Sequence, residues 1–205
     1  MRAGRPGVSL GAHNVTMVVI TPPRSLPGVH SPAASFAQPF DMLAACHERL
    51  ARSLGLLGRL MEHLDTAGPD SNARSAASDV WRYFELAAPQ HHRDEELHLV
   101  PVLQASGDAR LQQAAAQMLA DHQQFRAVWQ RLGPALAALR DGDPPARSVL
   151  QALAQRFIAL HGPHLALEDT LVFPRLRPLL PEAVQQAMGA EMARRRGTST
   201  ALRMR

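Results

Sequence analysis

Apolar residues recur every three or four positions over four long stretches of the chain, which is the period of an amphipathic helix. The stretches cover about residues 40–65, 72–105, 109–139 and 146–179. Breaks rich in Gly, Pro and Asp separate them, at 67–70, 106–108 and 141–145. The pattern predicts an all-α protein, an antiparallel up-down-up-down four-helix bundle over residues 36–180. Pro89 and Pro163 lie inside the second and fourth stretches and predict kinks there.

The two ends of the chain have a different character. Residues 1–35 are rich in Pro, Gly and Ser without a sustained period, so we expect a flexible leader. Residues 181–205 are expected to form a short extra C-terminal helix, from Glu182 to about Arg194, and an Arg-rich tail. No apolar run reaches the roughly 20 residues that span a bilayer, and none resembles a secretory signal. With Cys46 as the sole cysteine, the sequence predicts a cytoplasmic protein that lacks a disulfide framework and makes no use of a membrane.

The charge distribution argues against nucleic acid as a main partner. All 22 basic residues are Arg, which raises the isoelectric point because the guanidinium group stays protonated to very high pH. Residues 1–35 and 193–205 hold eight of these Arg and no acid, so the remaining 14 Arg face all 18 acidic residues. An acidic body with short basic ends is a poor surface for following a phosphate backbone.

Polar residues interrupt the apolar stripe of every predicted helix. The first and third stripes each carry one histidine, and the second and fourth each carry a histidine followed one helical turn later by a glutamate. In chain order these residues are His47, His91, Glu95, His122, His164 and Glu168. One core histidine alone is ordinarily a hydrogen-bonded packing residue, but a buried ionised glutamate costs several kcal/mol unless it is paired or binds a metal. Since no Arg lies on these stripes, a metal cation is the expected partner.

A common spacing relates the two halves of the predicted bundle. The histidine and the glutamate of the second stripe both recur in the fourth stripe at one identical spacing. The single histidine of the first stripe recurs in the third at nearly the same spacing. This repetition predicts an internal two-fold duplication. In a four-helix bundle such a duplication brings the polar residues of all four stripes to one level.

Four imidazoles and two carboxylates are a ligand set for two metal ions. These nitrogen and oxygen donors suit iron or manganese better than a structural zinc ion, which prefers a closed tetrahedron. If both carboxylates bridge, each metal has two histidine nitrogens, two carboxylate oxygens and a solvent-derived oxo or hydroxo bridge, and one position stays open. The sequence therefore predicts a centre for two metal ions, iron or manganese, with zinc as a less suitable substitute.

Four further polar residues lie near these stripes. His98 and His161 are on or beside them and are candidates for outer partners of the ligands or for replacement ligands. His92 and Glu96 lie one position off the stripe, one helical turn apart, and are interpreted as a solvated or outer-partner pair.

The motifs themselves resemble the bacterial hemerythrin-like, or HHE cation-binding, domain over about residues 36–180. The matching segments are His91-His92-x-x-Glu95-Glu96 with Leu99-Val100-Pro101, and His164-x-x-x-Glu168 with Val172-Phe173-Pro174. The resemblance implies an antiparallel four-helix bundle around a non-haem di-iron centre held by the six stripe residues. Val100 stands where the family usually has Phe. The aspartate ligand of the invertebrate oxygen carriers has no evident counterpart, which argues against reversible oxygen carriage.

The resemblance implies a small di-iron protein that binds or reacts with O2, nitric oxide or peroxide as a sensor, scavenger or buffer. Beyond the metal ligands the sequence has no separate acid–base pair or substrate motif that identifies a dedicated enzyme. The expected partner is thus a small diatomic ligand or peroxide. A monomer and a homodimer are both compatible with the sequence.

Three other functions stay open from the sequence. An iron donor or repair protein for iron–sulfur centres is one, although such relatives carry an N-terminal cysteine-bearing segment that residues 1–35 do not match. A ferritin-like carboxylate oxidase requires Glu-x-x-His on two helices, and Glu95-x-x-His98 supplies it once. A metal-free helical interaction module leaves the stripe histidines and glutamates unexplained.

Overall fold

The structure is a computed structural model that describes residues 35–197. Residues 1–34 and 198–205, which include the predicted leader and most of the Arg-rich tail, lie outside the described residues. Within residues 35–197 the regular elements are all helical and no strand occurs, so the all-α prediction is confirmed. No helix in this part of the chain combines the length and the apolar character needed to cross a membrane.

The first predicted helix forms as α1, Pro39–Thr66. Proline suits the first helical turn, where a backbone N–H has no intrahelical partner. The chain leaves the helix through Gly68, whose φ of 75° lies in the left-handed region that glycine adopts most readily. The buried residues Leu43, His47 and Leu50 follow the predicted stripe.

The second predicted helix forms in four consecutive pieces. Asp70 caps its start, because the carboxylate accepts a hydrogen bond from the backbone N–H of Ala73 at 2.8 Å. The pieces in chain order are α2, Ser71–Arg82; a short π turn named π1, Tyr83–Ala87; α3, Ala88–His98; and α4, Val100–Ala105. Together they span the predicted stretch.

The third and fourth predicted helices form at the expected places. The third is α5, Ala109–Asp141, which Asp108 caps at its start and Gly142 ends with a φ of 92°. The elements that follow in chain order are α6, Arg147–Leu167; a second π turn named π2, Glu168–Val172; α7, Phe173–Leu176; and α8, Glu182–Arg195. The extra C-terminal helix is thereby confirmed.

The π turns lie next to prolines, but only one is where a kink is predicted. π1 ends directly before Ala88-Pro89, in agreement with the expected irregularity. In the fourth stretch α6 continues through Pro163, and the irregularity comes at π2, directly before Phe173-Pro174. Proline lacks an N–H and its ring clashes with the carbonyl of the preceding turn, and a wider turn relieves this clash.

Beyond each stripe glutamate the buried positions differ from those of the predicted stripe. After each stripe glutamate the buried positions recur once per turn, as Leu99 and Leu103 after Glu95 and as Val172 and Leu176 after Glu168. The straight-helix pattern placed His98 inward, but Leu99 is fully buried and His98 is only partly buried. A single helical period along the second stretch is therefore wrong by one position beyond Glu95.

Buried apolar side chains form two separate clusters along the bundle. α1 packs against α2 and α6, and α5 packs against α2, α4 and α6. The first cluster is built mainly from α1, α2, α5 and α6 and contains Phe84, Phe125 and Phe157. The second joins the first part of α1 to α4, α5, α7 and α8 and contains Phe40 and Met118. The stripe histidines and glutamates belong to neither cluster.

Helix α8 is docked on the bundle. Met188 and Met192 are buried in the second apolar cluster. Beyond them, Arg195 donates a hydrogen bond to Asp94 at 2.6 Å, and Arg196 also binds this carboxylate. Asp94 is fully buried and directly precedes Glu95 in α3, so α8 covers the helix that carries a stripe glutamate.

We predict that Gly189→Ala destabilises the protein because α8 makes its closest backbone approach there. A Cβ atom at this position lies 1.7 Å from the carbonyl oxygen of Phe36, and relieving such a contact costs roughly 2 kcal/mol. Urea unfolding measures the loss. Gly55→Ala is the matched control, because Gly55 is exposed in α1 and its replacement gains about 0.5–1 kcal/mol of helix propensity. Equal stability of Gly189→Ala and the unchanged protein contradicts the close docking of α8.

Candidate metal centre

The structure brings all six stripe residues together at one level of the bundle. They come from five different elements, with Glu168 as the first residue of π2. Each is buried, with at most 5% of its surface exposed. By segment they are His47 of α1, His91 and Glu95 of α3, His122 of α5, His164 of α6 and Glu168 of π2. The convergence predicted from the sequence is therefore present in the fold.

The six residues form two groups that share both carboxylates. One group contains His47 and His91, the other contains His122 and His164, and Glu95 and Glu168 belong to both. Within each group one nitrogen or oxygen atom per residue lies within 4.8 Å of the others. Each group offers four donors of the kinds that hold a metal ion, and the two groups have both glutamates in common.

Each carboxylate directs its two oxygens toward different groups. Glu95 places Oε1 2.9 Å from Nε2 of His91 and Oε2 3.3 Å from Nε2 of His122. Glu168 places Oε2 2.9 Å from Nε2 of His47 and Oε1 3.3 Å from Nε2 of His164. This division of oxygens is the arrangement that lets one carboxylate bridge two cations.

The inward-facing atoms are close together but do not satisfy one another. Among the described residues, the Nε2 atoms of the four histidines and all four carboxylate oxygens are buried without a hydrogen-bond partner. Unpartnered buried polar atoms are rare in native proteins because each costs free energy. Eight of them aimed at one place fit a site for cations, and imidazole nitrogens with carboxylate oxygens fit iron, manganese or zinc.

The cluster attracts positive charge strongly. Burial disfavours a charged imidazole, but three carboxylates, Asp169 foremost, outweigh burial and raise the pKa of His47 to about 12. Burial also disfavours the ionised form of Glu95, yet the neighbouring imidazoles, led by His91, hold the pKa of Glu95 well below its usual range. Divalent cations can replace the protons that such a cluster holds and supply the same compensating positive charge.

The outer nitrogens of the histidines bind a ring of acidic residues. Nδ1–H of His47 donates to Asp169 at 2.8 Å, and Nδ1–H of His122 donates to Glu96 at 3.0 Å. A carboxylate on Nδ1 fixes the tautomer that presents a free Nε2 lone pair to a metal and makes that nitrogen more basic. Glu96 thus has the outer-partner position predicted from the sequence.

The remaining two ligand histidines have unlike surroundings. Nδ1–H of His164 donates to the buried carboxylate of Asp121 at 3.3 Å. In contrast, Nδ1 of His91 has no hydrogen-bond partner within residues 35–197. Sequence reasoning missed both Asp121 and Asp169, although each directly neighbours a stripe residue in the sequence, as Glu96 does.

The other three candidates lie outside the two donor groups. Nε2 of His98 lies 2.8 Å from Oε2 of Glu191 in α8, so His98 is held by α8 and not by the centre. Nδ1–H of His161 donates to the carbonyl of Phe157 at 2.8 Å. His92 packs its ring on that of His122, with the ring centroids 4.4 Å apart. Burial lowers the pKa of both His92 and His161, to about 3 for His161, so both imidazoles are neutral.

Comparison with known proteins agrees with this geometry. Residues 38–176 match the profile of the hemerythrin HHE cation-binding domain. An uncharacterized protein of Haemophilus influenzae is 29% identical over 163 residues, which are 80% of this chain and 92% of that protein. Uncharacterized proteins of Mycobacterium bovis and Mycobacterium tuberculosis are each 29% identical over 142 residues, which are 65% of this chain and 54% of the relative. The match therefore spans about half the length of these mycobacterial proteins.

We predict that Asp169→Asn weakens metal binding by roughly 10- to 100-fold because His47 loses its outer carboxylate. Asp169 is itself half exposed, so an effect on unfolding beyond about 1 kcal/mol is not expected. Equilibrium titration with a competing chelator measures the affinity. Asp79→Asn is the matched control, since Asp79 is a similarly exposed aspartate of α2 that pairs only with Arg82. Equal affinities of the two variants contradict the outer-partner role of Asp169.

Proposed function

We propose that this chain, which belongs to the hemerythrin HHE cation-binding domain family, is a metal-binding protein that holds two iron ions between Glu95 and Glu168. The single observation that carries the proposal is the sharing of both glutamates by two donor groups whose inward atoms are otherwise unpartnered. His47 and His91 complete one position, and His122 and His164 complete the other. Manganese and zinc accept the same donor atoms and are the substitutes to test.

The proposal includes the up-down-up-down order of the helices and the internal duplication. Two contacts between α1 and the fourth helical stretch support the antiparallel order. Near the start of α1 His47 binds Asp169, whereas further along α1 a Cβ atom at Gly58 lies 3.9 Å from Ile158. The duplication is supported by Glu96 and Asp169, which each directly follow a stripe glutamate. Glu96 of the first half binds His122 of the second, and Asp169 of the second half binds His47 of the first.

The residues of the chain have distinct roles in this proposal. Two iron ions, when bound, supply redox-active positions for O2, nitric oxide or peroxide. Glu95 and Glu168 hold both positions and set the spacing between them. Asp169, Glu96 and Asp121 fix three of the four imidazoles with Nε2 directed inward. The two apolar clusters on either side limit access of water to the centre.

A pocket beside the centre supports a small ligand. It has a volume of about 220 Å³, and its walls include Phe84, Ala88, Phe125 and Trp129. His92 also lines the pocket, and its ring stacks directly on the ligand histidine His122. Arg93, Glu96 and Arg126 line the pocket as well, so its walls combine an apolar aromatic part with charged side chains, and its volume admits a small ligand such as a diatomic molecule or peroxide. We propose that the pocket is the access route for the ligand.

The placement of His98 disfavours the carboxylate oxidase function. That function needs His98 as the partner of Glu95 at the metals, and His98 instead binds Glu191 at the surface. An interaction module without metal does not account for the unpartnered donor atoms at the centre. Sensing, scavenging or buffering of a small oxidant or gas is the function we favour, and iron donation to iron–sulfur centres is the alternative.

We predict two irons per chain for the protein loaded anaerobically with ferrous iron, about one for His47→Ala or His122→Ala, and close to none for Glu95→Ala. The difference follows because each histidine serves one position and the glutamate serves both. Metal analysis of the desalted protein gives the stoichiometry, and the absorption spectrum after air or nitric oxide reports the reactivity.

Glu62→Ala is the matched control for the glutamate, since Glu62 is an exposed residue of α1. Unfolding with and without chelator adds a second readout, because metal that binds only the folded chain stabilises it. Less than about half an iron per chain, or equal stability under both conditions, contradicts the two-iron proposal.

We predict that Ala88→Leu slows the association of nitric oxide with the iron-loaded protein by roughly 10-fold, because the larger side chain fills the pocket beside His122. Stopped-flow absorbance measures the rate. Ala87→Leu is the matched control, since Ala87 is the preceding residue and is exposed. Unchanged association in a protein that retains two irons shows that the ligand takes another route.

A further inference from the structure

The near-symmetry of the centre makes each histidine comparable with a counterpart in the other half. The repeated stripe pattern pairs His47 with His122, the single histidines, and His91 with His164, the histidines that precede a glutamate. The first pair is matched in its outer contacts, because Asp169 binds one member and Glu96 the other. Differences between the two metal positions must therefore be sought at the second pair.

The second pair is not matched. Nδ1–H of His164 donates to Asp121, the residue directly before His122. The residue directly before His47 is Cys46, so Cys46 is the counterpart of Asp121 in the first half. The half-buried Cys46 lies beside His91, yet Nδ1 of His91 has no hydrogen-bond partner in residues 35–197.

A thiol and a carboxylate act differently on a metal-ligating imidazole. A carboxylate accepts a strong charge-assisted hydrogen bond, holds the ring in one orientation and increases the basicity of the inward nitrogen. A neutral thiol is a weak acceptor and supplies no charge. His91 is 1% exposed, so its ring has little contact with bulk solvent. The position that contains His91 thus has a ligand without the carboxylate that orients the ring of His164.

We infer that Cys46 makes the two metal positions unequal, with the His47/His91 position the weaker and more exchangeable one and the His122/His164 position the tighter one. This inference rests on the proposed two-metal function and specifies how that centre loads and releases metal. Cys46 acts as a positioning residue through His91 and does not itself bind the metal. A centre of this kind keeps one ion while the other exchanges with its surroundings, which is the behaviour that metal release to an acceptor requires.

Other differences between the positions have to be separated from the effect of Cys46. Phe173 stacks on His47 and His92 stacks on His122. Gln117 also donates to Asp121 at 2.8 Å. A change at Cys46 tested in two single-position backgrounds isolates its contribution, because only one background retains the position that contains His91.

The test is anaerobic titration with ferrous iron against a competing chelator. His122→Ala retains the His47/His91 position, and His47→Ala retains the His122/His164 position. We expect the first variant to bind iron roughly 10- to 100-fold more weakly than the second. Adding Cys46→Asp to the His122→Ala chain is expected to tighten binding by roughly 10-fold, whereas the same change in the His47→Ala chain alters the affinity by less than about 2-fold.

Reciprocal variants provide a readout that general damage to the fold does not produce. Asp121→Cys in the His47→Ala chain is expected to weaken binding to the level of the His122→Ala chain, and Asp121→Glu to restore most of the affinity. Should Cys46→Asp not fold, Cys46→Asn supplies a neutral acceptor oxygen, for which we expect a smaller gain of roughly 3-fold.

Equal affinities of the two single-position chains overturn the inference, as does a Cys46→Asp gain of the same size in both backgrounds. Titration of the unchanged chain distinguishes this failure from failure of the proposed function. Saturation at two irons with a single common affinity refutes only the inequality. Saturation below one iron refutes the two-metal centre and the inference with it.

Discussion

Two glutamates buried at the same level of a helical bundle are the constraint on which the rest of the structure depends. Glu95 and Glu168 are fully buried, lie outside both apolar clusters and have no hydrogen-bond partner among the described residues. Such groups are tolerated only when positive charge compensates them. The ligand histidines turn Nε2 toward the glutamates, and three of the four bind acids through Nδ1, so the polar network is ordered outward from this pair of carboxylates.

The sequence was sufficient to predict the helices and the convergence of the six inward side chains, because both depend on short-range spacing. The three-and-four period gives the helix spans, and an acidic residue on an apolar stripe is anomalous wherever the stripe is buried. The outer acids were not predictable in the same way. Asp169 and Asp121 lie beside stripe residues, where a charged side chain ordinarily faces water, and only the packing of α1 on π2 and of α5 on α6 reveals their partners.

The failure at His98 has a definite physical origin. A helical wheel assumes the same number of residues in every turn. The chain departs from regular α-helix at Leu99, just before Val100-Pro101, and again at π2, just before Phe173-Pro174. The proline in each half lacks the N–H that a regular turn requires. The change in turn follows the stripe glutamate, so both glutamates stay in register with their histidines while the residues beyond them shift by one position. The irregular backbone therefore leaves the histidine–glutamate spacing unchanged and alters only the packing of the residues that follow each glutamate.

The proposed duplication accounts for a centre that is symmetric in its inward side chains and asymmetric in their outer partners. In the proposed centre each of the six inward residues serves at least one metal position, so loss of any of them removes donors from that position. The outer partners are under weaker constraint, because a change there alters the strength of one position without removing it. Asp121 and Cys46 occupy equivalent places in the two halves and differ in this manner. A duplicated bundle can thus acquire two positions of different strength from one substitution, with the shared glutamates keeping both positions coupled.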